Sequence, residues 1–369
     1  MVTGLLLFLA RHLTLVGIDS DEGKPQRRWG LPYLLRPTSA ASDVEKPAAE
    51  YCPEIAECGL TWSAPSAGAE YDGTLEIRRP SRRLSDLNST MKAPDNSIEP
   101  ADMVDLWRYP IEDITSTNGA AFADSCRQRY LQSGLCALPD FIKPPALDAL
   151  RIEANRESDK AFFCNSTHNA YLTQDDQHLP SDDVARHQES TVVGSVAFDE
   201  LGDDALLRQL YLWDPLKNFV GHVLGKSSFY RFADPLGACS INVFVDGGKH
   251  GWHFDESEFT VTLMLQQPRH GGSFEYVPRI RGLPNEKQMV TSVLSGDRHH
   301  VLELPFSPGT LLIFGGAQTL HRVTLVTGDI KRLVPVLAYS EQTDQKNSDA
   351  VRSLFWGRTK SVRQQPGHD

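Results

Sequence analysis

Closely spaced cysteines are absent from this chain of 369 residues, although it has six cysteines, at positions 52, 58, 126, 136, 164 and 239. Zinc sites and disulfide-stapled small domains usually carry Cys-x-x-Cys pairs or regular cysteine spacings. Neither pattern is found, so we expect no zinc site and no disulfide framework. Reduced thiols in a cytoplasmic protein are the simplest interpretation.

An excess of basic residues is also missing. The chain has 37 Lys and Arg against 48 Asp and Glu, which gives a formal net charge of −11. Nucleic acid binding needs a positive surface that faces the phosphates. We therefore expect no nucleic acid partner, and nothing in the composition indicates an oligomeric state.

The chain has no apolar run long enough to predict a membrane-spanning helix. The apolar segment at residues 5–10 is interrupted by Arg11 and His12, whereas a membrane-spanning helix takes ~20 apolar residues. A secretory signal would need a longer apolar region and a small-residue cleavage site. We expect neither a membrane span nor a secretory signal.

Residues 19–100 are crowded with Pro, Ser, Ala and charged residues and show no sustained periodicity. Such a segment buries too little apolar surface to offset its loss of conformational entropy. We predict a mostly disordered extension over residues 1–100 and one catalytic domain over residues 101–345. Residues 346–369 read as a polar tail with one or two amphipathic turns.

The middle of the chain predicts helices followed by strands. Helical patterns occupy residues 128–134, 144–155 and 201–224, and the last is broken at Asp214 and Pro215. Strand patterns occupy residues 238–245, 259–266, 310–314 and 331–339, with a tight turn at residues 246–249. The predicted fold class is α+β: a double-stranded β-helix, or cupin-like jelly roll, backed by helices.

His253, Asp255 and His321 carry the strongest chemical signal of the sequence. Residues two apart on an extended strand point to one face, so His253 and Asp255 can reach one metal ion. Two imidazoles and one carboxylate on one side of Fe(II) leave positions open for a co-substrate and O2. The chain has twelve histidines, and a single one is usually structural. The order of all three ligands favours a metal site.

Arg332 lies eleven positions after His321, on the strand predicted at residues 331–339. Its guanidinium offers a fork of donors that matches a carboxylate in bidentate geometry, which lysine does less well. We predict that Arg332 binds the remote carboxylate of 2-oxoglutarate.

Five segments resemble a known family: residues 250–255, 265–267, 271–281, 321–324 and 332–339. They are similar to the Fe(II)/2-oxoglutarate-dependent oxygenases that include the free-amino-acid halogenases and their hydroxylase relatives. The resemblance implies iron ligands at His253, Asp255 and His321, and 2-oxoglutarate at Arg332. The halogenases have Gly in place of Asp255, so the resemblance implies hydroxylation here, in specialised metabolism.

Other outcomes and other classes of function remain open at this stage. The same chemistry could desaturate or cyclise an amino acid, a related enzyme could hydroxylate a protein side chain, and a binding module could keep the fold without catalysis. A binding module, however, has little reason to retain all three ligands and the arginine.

Five residues are candidates for substrate binding. His250 and Glu256 flank the iron pair and align with substrate contacts of lysine-acting relatives. Val336 and Ala338 share a predicted strand face with Arg332, which indicates an apolar substrate side chain, although core packing explains them equally well. Residues 168–189 are expected to form a lid, in which Arg186 would bind a substrate carboxylate.

Overall fold

The computed structural model describes residues 98–363 of the chain. The extension predicted over residues 1–100 therefore lies outside the described residues, except for its last three. The same holds for the apolar segment at residues 5–10 and for the end of the C-terminal tail.

Seven α-helices lie within the part of the chain that the structure describes. They are α1 (Pro100–Met103), α2 (Thr117–Ser133), α3 (Pro144–Glu157), α4 (Leu206–Leu212), α5 (Asp214–Leu224), α6 (Glu286–Leu294) and α7 (Asp349–Trp356). The side chain of Ser116 caps the start of α2, and Gly134 ends it at a φ of 80°. Two prolines open α3, as predicted.

Fifteen strands are present in the described part of the chain. They are β1 (Leu135–Leu138), β2 (Phe162–His168), β3 (Glu189–Val196), β4 (Tyr230–Arg231), β5 (Cys239–Phe244), β6 (His250–His253), β7 (Thr260–Leu263), β8 (His270–Gly271), β9 (Phe274–Val277), β10 (Leu302–Leu304), β11 (Leu311–Phe314), β12 (Leu320–Val323), β13 (Val326–Thr327), β14 (Arg332–Leu337) and β15 (Tyr339–Ser340).

The two larger sheets make the jelly roll. The major sheet has the order β1-β11-β7-β14-β5-β3-β2, and the minor sheet has the order β10-β9-β12-β6. All pairings within them are antiparallel. Helices α2 to α5 share one buried apolar cluster with the major sheet. The α+β prediction, with helices behind a β-sandwich, is confirmed.

Strand β14 shows how the major sheet separates the core from the cavity. Leu333 and Leu337 belong to the cluster shared with the helices, whereas Arg332, Val334 and Val336 line a cavity on the inner face. This alternation is the period of two that an extended strand imposes. A permanently charged residue is thereby placed inside the protein.

One local prediction needs correction. Strand β6 ends at His253, so the His-x-Asp motif lies where a strand finishes and not where one begins. Within residues 346–369, where one or two amphipathic turns are expected, residues 349–356 form helix α7. The apolar residues Val351, Leu354 and Phe355 recur at helical spacing there.

The four cysteines at positions 126, 136, 164 and 239 are buried and free. Among the described helices, none combines the length and the apolar character that crossing a membrane requires.

Candidate functional site

Three potential metal ligands converge at the ends of two neighbouring strands. His253 on β6 and His321 on β12 are paired partners in the minor sheet, and Asp255 follows β6 directly. The Asp255 Oδ1 atom lies 3.2 Å from His253 Nε2 and 3.4 Å from His321 Nε2. One ligand atom from each residue lies within 4.8 Å of the others, which is the separation expected around a single ion.

Hydrogen bonds to the backbone orient both imidazoles. His253 Nδ1 lies 2.8 Å from the Gly251 carbonyl oxygen, and His321 Nδ1 lies 2.9 Å from that of Thr319. A carbonyl oxygen can only accept, so each Nδ1 carries the proton and donates it. The lone pair of each Nε2 therefore points to the shared centre, as in known metal sites.

Two residues that the sequence did not single out fix the Asp255 carboxylate. The Thr260 hydroxyl donates to Asp255 Oδ2 at 2.5 Å, and the Asp255 N–H donates to the Gly316 carbonyl at 3.1 Å. A Cβ atom at Gly316 would lie 2.0 Å from Asp255 Oδ2. Residue 316 must therefore be glycine for the carboxylate to stay where it is.

The charges of the cluster suit a divalent cation. Burial favours the neutral form of Asp255, but the neighbouring His321 and His253 hold the pKa of this carboxyl group well below its usual value. Burial, together with His321, lowers the pKa of His253. An ionised carboxylate beside a neutral imidazole is the protonation state in which such residues bind metals.

Arg332 is a buried cation without an acidic partner. Only 2% of the residue is exposed, and its guanidinium carbon lies 5.2 Å from the centre of the Phe244 ring and 5.9 Å from that of Phe306. No carboxylate of the described residues pairs with it, and its Nε atom has no hydrogen-bond partner among them. Burial lowers its pKa to about 9. A buried charge of this kind calls for an anionic ligand.

The metal-ligand cluster and Arg332 line one cavity of about 370 Å³ between the two sheets. The cavity also contains Thr262, whose hydroxyl is buried and lacks a partner among the described residues. A small carboxylate would give both unsatisfied groups an acceptor. The residues present thus fit a bound metal together with a 2-oxo acid.

The candidate substrate residues fall into two groups. His250, Glu256 and Val336 line the cavity. The His250 ring stacks on His253, with 3.9 Å between the ring centres and 18° between the planes, while burial and the Asp255 charge raise the pKa of Glu256.

Ala338 and Arg186 do not line this cavity. Ala338 lies beyond the end of β14, and its backbone N–H donates to the Ala238 carbonyl. Arg186 donates to both oxygens of Asp175, at 2.7 and 3.1 Å, within its own loop. The even spacing that relates Ala338 to Arg332 holds only while the strand continues, and the Arg186 guanidinium is occupied by Asp175.

Further residues of the cavity were missed by the sequence reasoning. His168 Nε2, on β2, forms a hydrogen bond of 2.7 Å with the Thr191 hydroxyl. The centre of the His168 ring lies 5.7 Å from that of the His253 ring. Burial lowers the pKa of His168 to about 4. Asn347 and four residues of α7 also line the cavity. Only the apolar spacing in α7 could have indicated this.

A jelly roll with a His-Asp-His cluster in its mouth and a buried arginine on an inner strand defines the Fe(II)/2-oxoglutarate-dependent oxygenases. The chain is an enzyme of this class. It belongs to the halogenase D family, whose family model matches residues 119–354. Among curated proteins, none matches the chain.

Several solved structures are similar to this chain. The α-ketoglutarate-dependent epimerase SnoN from nogalamycin biosynthesis is 16% identical over 60% of this chain and 83% of its own, with a TM-score of 0.43. The carbocyclase SnoK from the same biosynthesis is 14% identical over 65% of this chain and 93% of its own, with a TM-score of 0.43. A Pseudomonas putida prolyl-4-hydroxylase is 14% identical over 58% and 98%, with a TM-score of 0.37. Similarity at this level transfers neither a reaction nor a substrate.

Proposed function

We propose that this oxygenase hydroxylates an unactivated C–H bond of a small molecule, namely a free amino acid or a derivative, in the biosynthesis of a specialised metabolite. The observation that carries the proposal is the presence, in one cavity, of the His-Asp-His cluster and a buried arginine without an acidic partner among residues 98–363. The amino-acid substrate rests on the family resemblance of residues 250–255 and 332–339.

The residues of the cluster have distinct tasks. His253, Asp255 and His321 would hold Fe(II), with both imidazoles kept in place by their Nδ1–H donors to the backbone. Thr260 holds the second oxygen of Asp255 and so keeps the carboxylate directed at the ion. When bound, Fe(II) with 2-oxoglutarate and O2 supplies a two-electron oxidation, and succinate and CO2 are the co-products.

Arg332 and Thr262 would bind the co-substrate. The guanidinium can donate two parallel hydrogen bonds to the remote carboxylate of 2-oxoglutarate, and the unpartnered Thr262 hydroxyl is a further donor. Phe244 and Phe306 flank the guanidinium and exclude water from it. An ion pair in such a dry site is stronger than one at the surface.

Asp255 favours hydroxylation over halogenation. The halogenases that the sequence resembles have Gly at this position, and chloride takes the place of the carboxylate on the iron. Here the carboxylate is present, ionised and anchored by Thr260. Desaturation or ring closure of the substrate stays an alternative outcome, because each begins with the removal of the same kind of hydrogen atom.

The cavity supports a small substrate over a protein side chain. A volume of about 370 Å³ is at the small end of ligand pockets, and the co-substrate occupies part of it. A protein hydroxylase needs an open groove for a peptide backbone. The alternative of a binding module without catalysis gives no reason for a complete ligand cluster beside an unpaired buried arginine.

The protein is first titrated under anaerobic conditions with Fe(II) and then with 2-oxoglutarate. Binding is monitored by the visible charge-transfer band of an iron-bound 2-oxo acid. O2 is then added with a panel of free amino acids, and succinate and substrate mass are measured. Hydroxylation gives a gain of about 16 mass units, and desaturation or ring closure gives a loss of about 2.

Two variants separate the ways in which this proposal can fail. His253→Ala should lose iron, and Arg332→Ala should keep iron but bind 2-oxoglutarate weakly. If the wild-type protein binds no iron, the site assignment is wrong. If it consumes 2-oxoglutarate but no amino acid stimulates succinate release, the assignment of the metal site stands and the substrate class is wrong.

A further inference from the structure

Helix α7 forms one wall of the cavity that holds the metal-ligand cluster. Val351, Leu354, Phe355 and Trp356 of this helix line the cavity, together with Asn347 just before it. The helix packs against β2 and β3, the two strands at one end of the major sheet. A segment about a hundred residues along the chain from the His-x-Asp motif therefore completes the space in which a substrate must fit.

The two faces of α7 differ in chemistry. Val351 and Leu354 are three residues apart, so they lie on the same side of the helix. Leu354 packs against the buried cluster that contains Phe244, and the Phe244 ring lies beside the Arg332 guanidinium. Ser353 is exposed. The helix thus presents aliphatic side chains inward, close to the co-substrate anchor.

Buried ion pairs outside the cavity hold the helix in place. The fully buried Asp234 carboxylate accepts from Arg352 Nε at 2.9 Å and from the Asn347 N–H at 2.8 Å. Beyond the helix, Asp199 accepts from both terminal nitrogens of Arg358, at 2.7 and 2.9 Å. A helix of eight residues is not stable alone. Its position is therefore set by these anchors and by its apolar face.

The rest of the lining combines polar and apolar groups. His250 and Glu256 lie next to the metal ligands, and Ser240 and Asn242 on β5 add polar groups along the major sheet. Val336 and the α7 residues Val351 and Leu354 supply aliphatic surface, and Phe355 and Trp356 supply aromatic surface. A substrate with polar groups and one aliphatic side chain fits such a lining. Aliphatic walls discriminate by size, and one methylene group changes specificity by 10- to 200-fold in known enzymes, on the order of 1–3 kcal/mol.

We propose that Val351 and Leu354 of α7 determine substrate specificity by contacting the aliphatic part of the substrate. This inference rests on the proposed function and adds the class of side chain that the site accepts: aliphatic and uncharged. His250 and Glu256, next to the metal ligands, would then serve the polar end of the substrate.

The experiment uses the full chain with Fe(II), 2-oxoglutarate and O2, and measures kcat/KM from succinate release with L-valine, L-leucine, L-norleucine and L-lysine. We expect wild type to prefer the aliphatic amino acids over lysine by about tenfold or more. Leu354→Ala and Val351→Ala should shift the preference toward the longer L-norleucine by about tenfold, with the KM for 2-oxoglutarate unchanged. Ser353→Ala, on the exposed face of the same helix, should change neither quantity.

A binding measurement separates this inference from the proposed function. Equilibrium binding of neutral primary amides, from butanamide to octanamide, is measured with and without Fe(II) and 2-oxoglutarate. Leu354→Ala should move the preferred chain length upward, and Ser353→Ala should not. Chain-length preferences that are the same in wild type and in both cavity variants would overturn the role of α7, even if the enzyme hydroxylates an amino acid. A shift in amide binding without amino-acid turnover would support α7 and reject the substrate class.

Discussion

At the scale of single residues, Arg332 connects sequence, stability and function. A guanidinium that is buried between two aromatic rings loses its hydration, and none of the described carboxylates compensates for that loss. Arg322 is a useful contrast, because it also stacks on an aromatic ring, that of Trp252, but donates to the buried Glu275 at 2.7 Å. Arg332 thus has no acidic partner among the described residues, whereas Arg322 has Glu275 as its partner.

We expect Arg332→Met to stabilise the ligand-free protein by about 1–2 kcal/mol, because an apolar side chain of similar volume replaces an unpaired buried charge. The same variant should bind 2-oxoglutarate at least ~30-fold more weakly, the equivalent of about 2 kcal/mol. Urea unfolding and 2-oxoglutarate titration measure the two effects. Arg322→Met should instead destabilise the protein, because it removes a partner of Glu275. A loss of stability in Arg332→Met would show that the arginine has a structural partner.

Gly316 has a purely steric role beside Asp255. An alanine there would place its Cβ atom 2.0 Å from Asp255 Oδ2, whereas at Gly315 the nearest atom is the Tyr130 hydroxyl at 3.3 Å. We expect Gly316→Ala to displace the carboxylate and weaken Fe(II) binding by about 10- to 100-fold, as changes around metal ligands do. Gly315→Ala should leave the affinity within about threefold of wild type. Equal Fe(II) affinities in both variants would reject the steric argument.

At the scale of elements, site residues that follow one another in order along strand patterns could be predicted from the sequence. Residues whose role depends on contacts between distant parts of the chain could not. His253, Asp255, His321 and Arg332 follow one another in a fixed order within strand patterns, so a reading along the chain can find them. Gly316 matters only because the fold brings it to Asp255. The tautomers of the two histidines likewise depend on backbone carbonyls whose positions no sequence pattern specifies.

The C-terminal segment shows why a polar composition misleads. Arg358 reads as a tail residue in the sequence, yet it pairs with Asp199, which lies far back along the chain. Such a pair gives no periodic signal. Arg186 is a second arginine whose contacts are decided by its partner, which is Asp175.

The Asp199 anchor predicts how the C-terminal segment responds to pH. Burial raises the pKa of Asp199, but hydrogen bonds from Arg358 and Ser361 outweigh it and bring the pKa below the usual value of 3.8. A carboxyl group with a depressed folded-state pKa stabilises the fold above its unfolded-state pKa and loses this effect as the pH falls through the folded-state value. The window for this anchor therefore lies below about pH 4.

We expect Asp199→Asn to lower the free energy of unfolding at pH 7 by about 2 kcal/mol, because Arg358 loses a charged acceptor. The difference from wild type should stay constant down to about pH 5 and shrink below pH 4. Hydrogen exchange of the segment that follows α7 measures the local effect, and urea unfolding measures the global one. A difference that is independent of pH down to pH 3 would mean that the charge of Asp199 contributes nothing.

At the scale of the whole molecule, the jelly roll brings together ligands that come from different sheets. His253 and His321 lie on the minor sheet, and Asp255 lies just after β6 of that sheet. Arg332 lies on the major sheet, and α7 closes the space between the two sheets. A metal ion and a 2-oxo acid bound in this cavity would therefore link the two sheets.

Binding of both ligands should consequently stabilise the whole domain in a cooperative way. At 100 times the dissociation constant, a ligand that binds only the folded state adds about 2.7 kcal/mol, which corresponds to a rise in Tm of roughly 5–10 °C for a domain of this size. We expect this rise with Mn²⁺ and 2-oxoglutarate together, and much less with 2-oxoglutarate alone, because the metal supplies one of its two attachment points. Thermal unfolding of wild type and Arg332→Met under anaerobic conditions measures it. The variant should respond to the metal but gain less than about 1 kcal/mol from 2-oxoglutarate at the same concentration, because ~30-fold weaker binding leaves only about three times its dissociation constant. If 2-oxoglutarate raised the Tm of both proteins equally, the co-substrate would be bound elsewhere, and the link between the sheets through Arg332 would be refuted.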